Sequence, residues 1–216
     1  MTPQEQRNEQ LAQTIIKNLK RRHMEGFYCA TAEEAVKKVS ELIADGSSVT
    51  WGGTMTVRDM GIPQFLKDRG TLQLLDRDLA ATPEETQAIY LKAFSSDVYL
   101  SSANAISEDG VIVNIDGNGN RVAASISGPK RVVYVIGRNK VVEGGVDAAI
   151  ERIKSKACPP NAARLGLRTP CGVSGRCVGG AGCDSPSRMC KVTAVFDRKP
   201  TGVSAKVILV DEDLGY

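Results

Sequence analysis

The sequence predicts an α/β fold of three layers, a mostly parallel sheet flanked by helices, and three observations lead there. Strand-like and helix-like segments alternate between residues 31 and 100, as they do in a parallel sheet with helical crossovers. The strand-like segments are short, rich in β-branched residues and bounded by Gly, Asn, Asp or Pro. The 216 residues, 42% hydrophobic and 25% charged, suffice for one substantial core and not for two. The expected organisation is an N-terminal helix over residues 1–26, then one domain over 27–216 with a cysteine-rich loop at 170–191 inside it.

The charge pattern removes several function classes. Twenty-eight basic and 25 acidic side chains are scattered in both signs, a net charge of +3, and give no electrostatic footprint for nucleic acid. An aromatic content of 5% argues against a platform for single strands. No apolar run approaches the roughly 18 residues of a membrane span, and the N-terminus lacks a secretory core, so no membrane association and a cytoplasmic location are expected. His23 is the single histidine, which excludes a multi-histidine metal site within one chain and reads as a helix-end surface residue.

In chain order, Thr2 and Pro3 start a helix whose stripe of Leu11, Ile15, Ile16 and Leu19 must dock on its own domain or on a second subunit, which leaves a homo-oligomer open. Thr31 and Glu34 make a capping box for a helix to about Ala44. Ser48 to Trp51 reads as a strand with Trp51 in the core. Gly52-Gly53-Thr54-Met55-Thr56 follows as a glycine turn into a helix, where free amides and the helix dipole suit an anion. The same glycines also fit a plain tight turn capped by Thr54. Pro63 to Arg69 is a short helix, Leu72 to Leu75 a buried strand, Thr82 to Phe94 a capped helix and Val98 to Leu100 a strand.

From Ser102 to Lys140 three apolar runs, Val111 to Ile115, Val122 to Ile126 and Val132 to Ile136, predict three closely spaced strands. The turn Asp116-Gly117-Asn118-Gly119-Asn120 is longer than a hairpin needs. With Arg121 directly after it, it offers polar groups and a cation to an anionic ligand. Glu108-Asp109-Gly110 sets a carboxylate at another turn. Val146 to Lys154 predicts one more helix, residues from Cys158-Pro159-Pro160 an irregular passage, and Val192 to Phe196 and Lys206 to Val210 two last strands.

The runs TWGGTMTVRDMGI, ANAISEDGVIVNIDGNGNRVAASISGPKRVVYVIGRNK and PPNAARLGLRTPC, with the ending VILVDEDLGY, together resemble the LUD-domain family of lactate-utilisation proteins from residue 30 onward. The resemblance implies the architecture of the broad superfamily of ribose-phosphate isomerases, glucosamine-phosphate deaminases and CoA transferases. It also implies a part in a bacterial system for growth on lactate or a related organic acid, beside a separate iron–sulfur subunit. In that superfamily the segment similar to Gly52-Gly53-Thr54 cradles phosphate or acyl-thioester groups. Glu108 resembles the glutamate of the Glu-x-Gly turn that is the nucleophile in CoA transferases.

Two function classes follow. One is a binding or electron-transfer partner of an iron–sulfur subunit; the other is an enzyme for a sugar phosphate or acyl-CoA with Glu108 as nucleophile or base. The expected contacts to a small anionic ligand are Gly52, Gly53, Thr54, Thr56, Asn104, Asp116, Asn120 and Arg121, and Arg121 could equally pair with Asp116. Four of the six cysteines, Cys171, Cys177, Cys183 and Cys190, fall within a glycine-rich stretch of low apolar content. Such clustering points to cross-linking by zinc or an iron–sulfur cluster, with free thiols and disulfides as the alternatives. Their wide spacing fits no standard metal template, and the gap between Cys177 and Cys183 is longer than the resemblance implies.

Overall fold

A computed structural model of the protein describes residues 1–216. Helix α1 (Pro3–Arg21) starts with a reciprocal cap: Thr2 Oγ1 accepts from the Glu5 amide and the Glu5 carboxylate accepts from the Thr2 amide. Ala12, Ile15 and Leu19 are buried against the chain's own sheet, which settles where the stripe docks. The helix closes with the amides of His23 and Met24 donating to the carbonyls of Lys20 and Leu19. His23 takes the left-handed position, φ 61°, that such an ending requires. β1 (Glu25–Cys29) follows, a strand the sequence reading did not anticipate, and the boundary expected between residues 26 and 27 falls inside it. Only Cys29 of β1 is buried, so the run has no alternation to reveal it.

α2 (Ala32–Glu41), β2 (Ser48–Trp51), α3 (Met55–Asp59), α4 (Ile62–Arg69), β3 (Gln73–Leu75), α5 (Pro83–Ala93) and β4 (Val98–Ser101) form in the expected order. Thr31, Thr54 and Thr82 each cap the helix that follows. β3 is an edge strand with no fully buried residue, where a buried one was expected.

The central stretch departs from expectation once. β5 (Ala105–Ser107) and β6 (Ile112–Asp116) form an antiparallel hairpin, but residues 122–126 belong to a helix, α6 (Asn120–Ile126). Gly119 enters it in the left-handed region, φ 79°, and the Asp116 carboxylate accepts from the Val122 amide. Val122 and Ser125, three apart, are buried on one face, so packing overrides the β preference of the valine and isoleucine. Strands β7 (Arg131–Gly137) and β8 (Val141–Val142) come next.

α7 (Val146–Arg152) runs through one π-helical turn, Ile153–Ala157, into α8 (Cys158–Arg164), where an irregular passage was expected. The widened turn makes room for Pro159 and Pro160, whose rings would clash with carbonyls one regular turn earlier. α9 (Pro170–Ser174), β9 (Val192–Phe196) and β10 (Ser204–Val210) complete the chain.

The main sheet has the order β1-β10-β7-β4-β2-β3, parallel throughout. A smaller sheet, β8-β5-β6-β9, was not anticipated. Alternation along β7 serves two cores: Val133 and Val135 pack with Val39, Val57 and Leu66 of α2, α3 and α4. Val132, Tyr134 and Ile136 pack with α1, α6 and the inner face of the smaller sheet. The outer face of that sheet is covered by α7 and the π turn through Val113, Ala149 and Ile153. No helix is long and apolar enough to cross a membrane.

Candidate functional site

A pocket of about 430 Å³ opens beyond the carboxyl ends of β2, β4 and β7, where open parallel sheets bind ligands. Gly53, Thr54 and Thr56 line it from the turn after β2, Asn104 from the approach to β5, and Asp116, Asn120 and Arg121 from the turn after β6. The glycine turn and the polar turn thus share one pocket, as the sequence predicted. Gly52 lies just behind the lining, and a Cβ there would stand 2.5 Å from Tyr99 Oη and 3.2 Å from Arg121 Cγ, so a larger residue would push on both side chains.

Arg121 is fixed from three sides. Its Nη2 donates to Asn104 Oδ1 (3.0 Å) and to the Ile115 carbonyl (2.7 Å), and Nε lies 3.6 Å from the Asp116 carboxylate. Asn104 is itself locked, its amide donating to Asn114 Oδ1 and its Oδ1 accepting from the Ile115 amide. Asn104 and Asp116 therefore act first as supports for the guanidinium. α3 is a single turn of five residues, so the charge facing a ligand comes from side chains more than from a helix dipole.

One buried cation in the pocket lining was not anticipated. Lys140, 4% exposed, follows β7 and lines the pocket. Its Nζ donates to Thr56 Oγ1 (2.6 Å) and Ser102 Oγ (3.0 Å), and no carboxylate lies within ion-pair distance. Burial, then the nearby Arg152 and Arg121 cations, lower its pKa to about 7. Gly215 closes over the contact: a Cβ there would sit 2.8 Å from Thr56 Oγ1. Arg152 donates to the carbonyls of Asn104, Asn139 and Tyr216, which ties three pocket segments together. Arg77 reaches over Gly53 and donates to Tyr90 Oη at 2.6 Å.

Two predicted groups lie elsewhere. Glu108 sits at the opposite end of the β5–β6 hairpin, where its carbonyl accepts from Asn18 of α1, and is not among the residues around the pocket. Strand rise puts Glu108 roughly 13 Å away from Asn104 along β5. The cysteines surround a smaller cavity beside the pocket: Cys171, Cys177, Cys183 and Cys190 are joined there by Cys158 of α8, which sequence spacing did not connect to them, and Cys158, Arg188 and Cys190 line both spaces. As the side chains stand, no three Cys, His, Asp or Glu are arranged to hold one metal ion. Burial and the thiols of Cys190, Cys171 and Cys177 push Cys158 up to about 12.

The sequence matches the LUD domain family over residues 12–210. The chain belongs to that family. No curated protein matches it significantly. Among solved structures, this LUD domain is similar to a crystal structure of a DUF162 family protein from Deinococcus radiodurans. The two share 13% identity and a TM-score of 0.54, over 94% of this chain and 98% of the other, so the likeness concerns the fold.

The basic side chains around the pocket of this LUD domain are Arg77, Arg121, Lys140, Arg164, Arg188 and Lys191, against the single acidic side chain of Asp116. Lys140 and Arg77 carried no signal in the sequence, because each is one cation among 28 and only folding aims it inward.

Proposed function

We propose that the pocket binds a small organic anion, a carboxylate or a phosphate ester, and that the protein works in lactate or related organic-acid utilisation beside an iron–sulfur oxidoreductase subunit. The observation that carries the binding role is Lys140, a buried lysine without a carboxylate partner that faces a cavity of otherwise basic lining. Keeping an ammonium out of water without a counter-ion costs free energy that a bound anion would return. Family membership supports the metabolic setting.

A second reading, an enzyme of sugar-phosphate or acyl-CoA chemistry, is favoured by one feature. A cavity of about 430 Å³ with several cations exceeds what a ligand of lactate's size needs. In that reading Lys140 takes the place expected of Glu108. With a pKa of about 7 it exchanges its proton near neutrality, serving as general acid when charged and as base or nucleophile when neutral.

The test is a thermal-shift and calorimetric panel of L-lactate, sugar phosphates and CoA esters on the wild type and Lys140→Met. Binding of one class to the wild type, at least tenfold weaker in the variant, is expected. A panel in which nothing binds, or in which Lys140→Met binds equally well, would overturn the proposal. Shifts by lactate alone would favour the first reading, and shifts by the phosphorylated or thioester ligands the second.

A further inference from the structure

Between Gly172 and Ser187 the loop buries nothing, and only Cys177, Cys183 and Ser185 among residues 173–187 are even partly sheltered. A glycine-rich segment without a core of its own turns inward through its cysteines. They meet Cys171, Cys190 and the buried Cys158 around one cavity of about 20 Å³, room for a single atom or water and not for a cluster of several metal atoms. Lys154 and Arg188 line the same cavity, and Arg188 Nε stands 3.2 Å from Cys190 Sγ. Cys158 belongs to the continuous helix of α7 and α8 and lines the cavity together with the four cysteines of the loop.

We infer that this cavity is a metal site in which one thiophilic divalent ion, zinc or ferrous iron, is held by the sulfur of Cys158 and three of the four loop sulfurs, those of Cys171, Cys177, Cys183 and Cys190. Each thiol releases its proton to solvent as its sulfur binds. Four thiolates and a dication carry a net charge of minus two, which the Lys154 and Arg188 cations offset. Soft sulfur donors select such ions over magnesium or calcium. In the conformation described no three of the sulfurs are gathered at ligand distance, so binding requires the loop to tighten toward Cys158. Its glycines at 175, 179, 180 and 182 give it that freedom. The helix supplies the fixed ligand and the loop supplies the mobile ones. Residues 186–191 also wall the anion pocket, so the ion would fix Arg188 and Met189 in place there.

The experiment is metal analysis of full-length protein purified without air or chelator, for the wild type and Cys158→Ser. About one equivalent of zinc or iron is expected in the wild type, with less than a tenth of that in Cys158→Ser. Should Cys158→Ser fold poorly, cobalt substitution of the wild type replaces it, and intense thiolate-to-cobalt absorption with a tetrahedral visible spectrum is the expected result. Less than half an equivalent of metal, several irons with sulfide, native disulfides by mass, or a Cys158→Ser variant that keeps its metal would overturn the assignment. None of these outcomes depends on whether the basic pocket binds an anion.

Discussion

Lys140 and His23 show how single side chains bear costs that can be measured. With the Lys140 pKa lowered to about 7 from 10.5, the unfolded chain binds more protons than the folded one between those values. Its contribution to stability therefore rises as pH climbs through that window and is flat below it. Thermal unfolding across pH 6–10 should show this rise in the wild type and not in Lys140→Met. Anion affinity should move the opposite way, falling above pH 7 as the ammonium is lost, which titration calorimetry at several pH values would record. His23, at φ 61° with a side chain, holds a conformation that glycine adopts without steric penalty. His23→Gly should raise stability by about 1 kcal/mol in denaturant unfolding. Neither cost was legible in the sequence: a lysine in GRNKVV and a histidine after KRR look like ordinary surface residues until the backbone places them.

The helices with threonine caps were legible because the cap, the proline and the boxed glutamate stand within four residues of one another, as at Thr82, Pro83 and Glu85. Two elements were misread for a shared reason. α6 and β1 owe their form to what they pack against, and their local composition points elsewhere or nowhere. The polar turn was correctly set in the pocket even though it leads into a helix and not a strand, since its Asp and Gly residues do similar work in both settings. Contacts between elements give a sharper test. Gly128, at φ 114°, lets the chain leave α6 past α5: a Cβ there would lie 2.6 Å from Phe94 Cα. Gly128→Ala should cost several kcal/mol, above the usual range for a surface change, as measured by urea unfolding. Asp97 ties the start of β2 to β4 by accepting from the Ser48 amide and hydroxyl, at 2.8 and 2.7 Å, and these bonds with Lys130 hold its pKa well below the usual carboxylate range.

The pocket is assembled from parts of the chain as distant as Gly53 and Tyr216, so its occupancy should report on the stability of the whole fold. A ligand at a hundredfold its Kd should add about 2.7 kcal/mol, which for a domain of this size is a rise in Tm of roughly 5–10 °C. The fold class and the meeting of the two turns could be read from the order of motifs. The basic lining and the fifth cysteine could not, because residues far apart in sequence become neighbours only through the sheet. The order of strands has a consequence for biosynthesis. β10 lies between β1 and β7, and β1 pairs with nothing else. Until Ser204–Val210 has been made, β1 has no partner in the sheet, and the side of β7 that β10 will cover stays open to chaperones and to other chains.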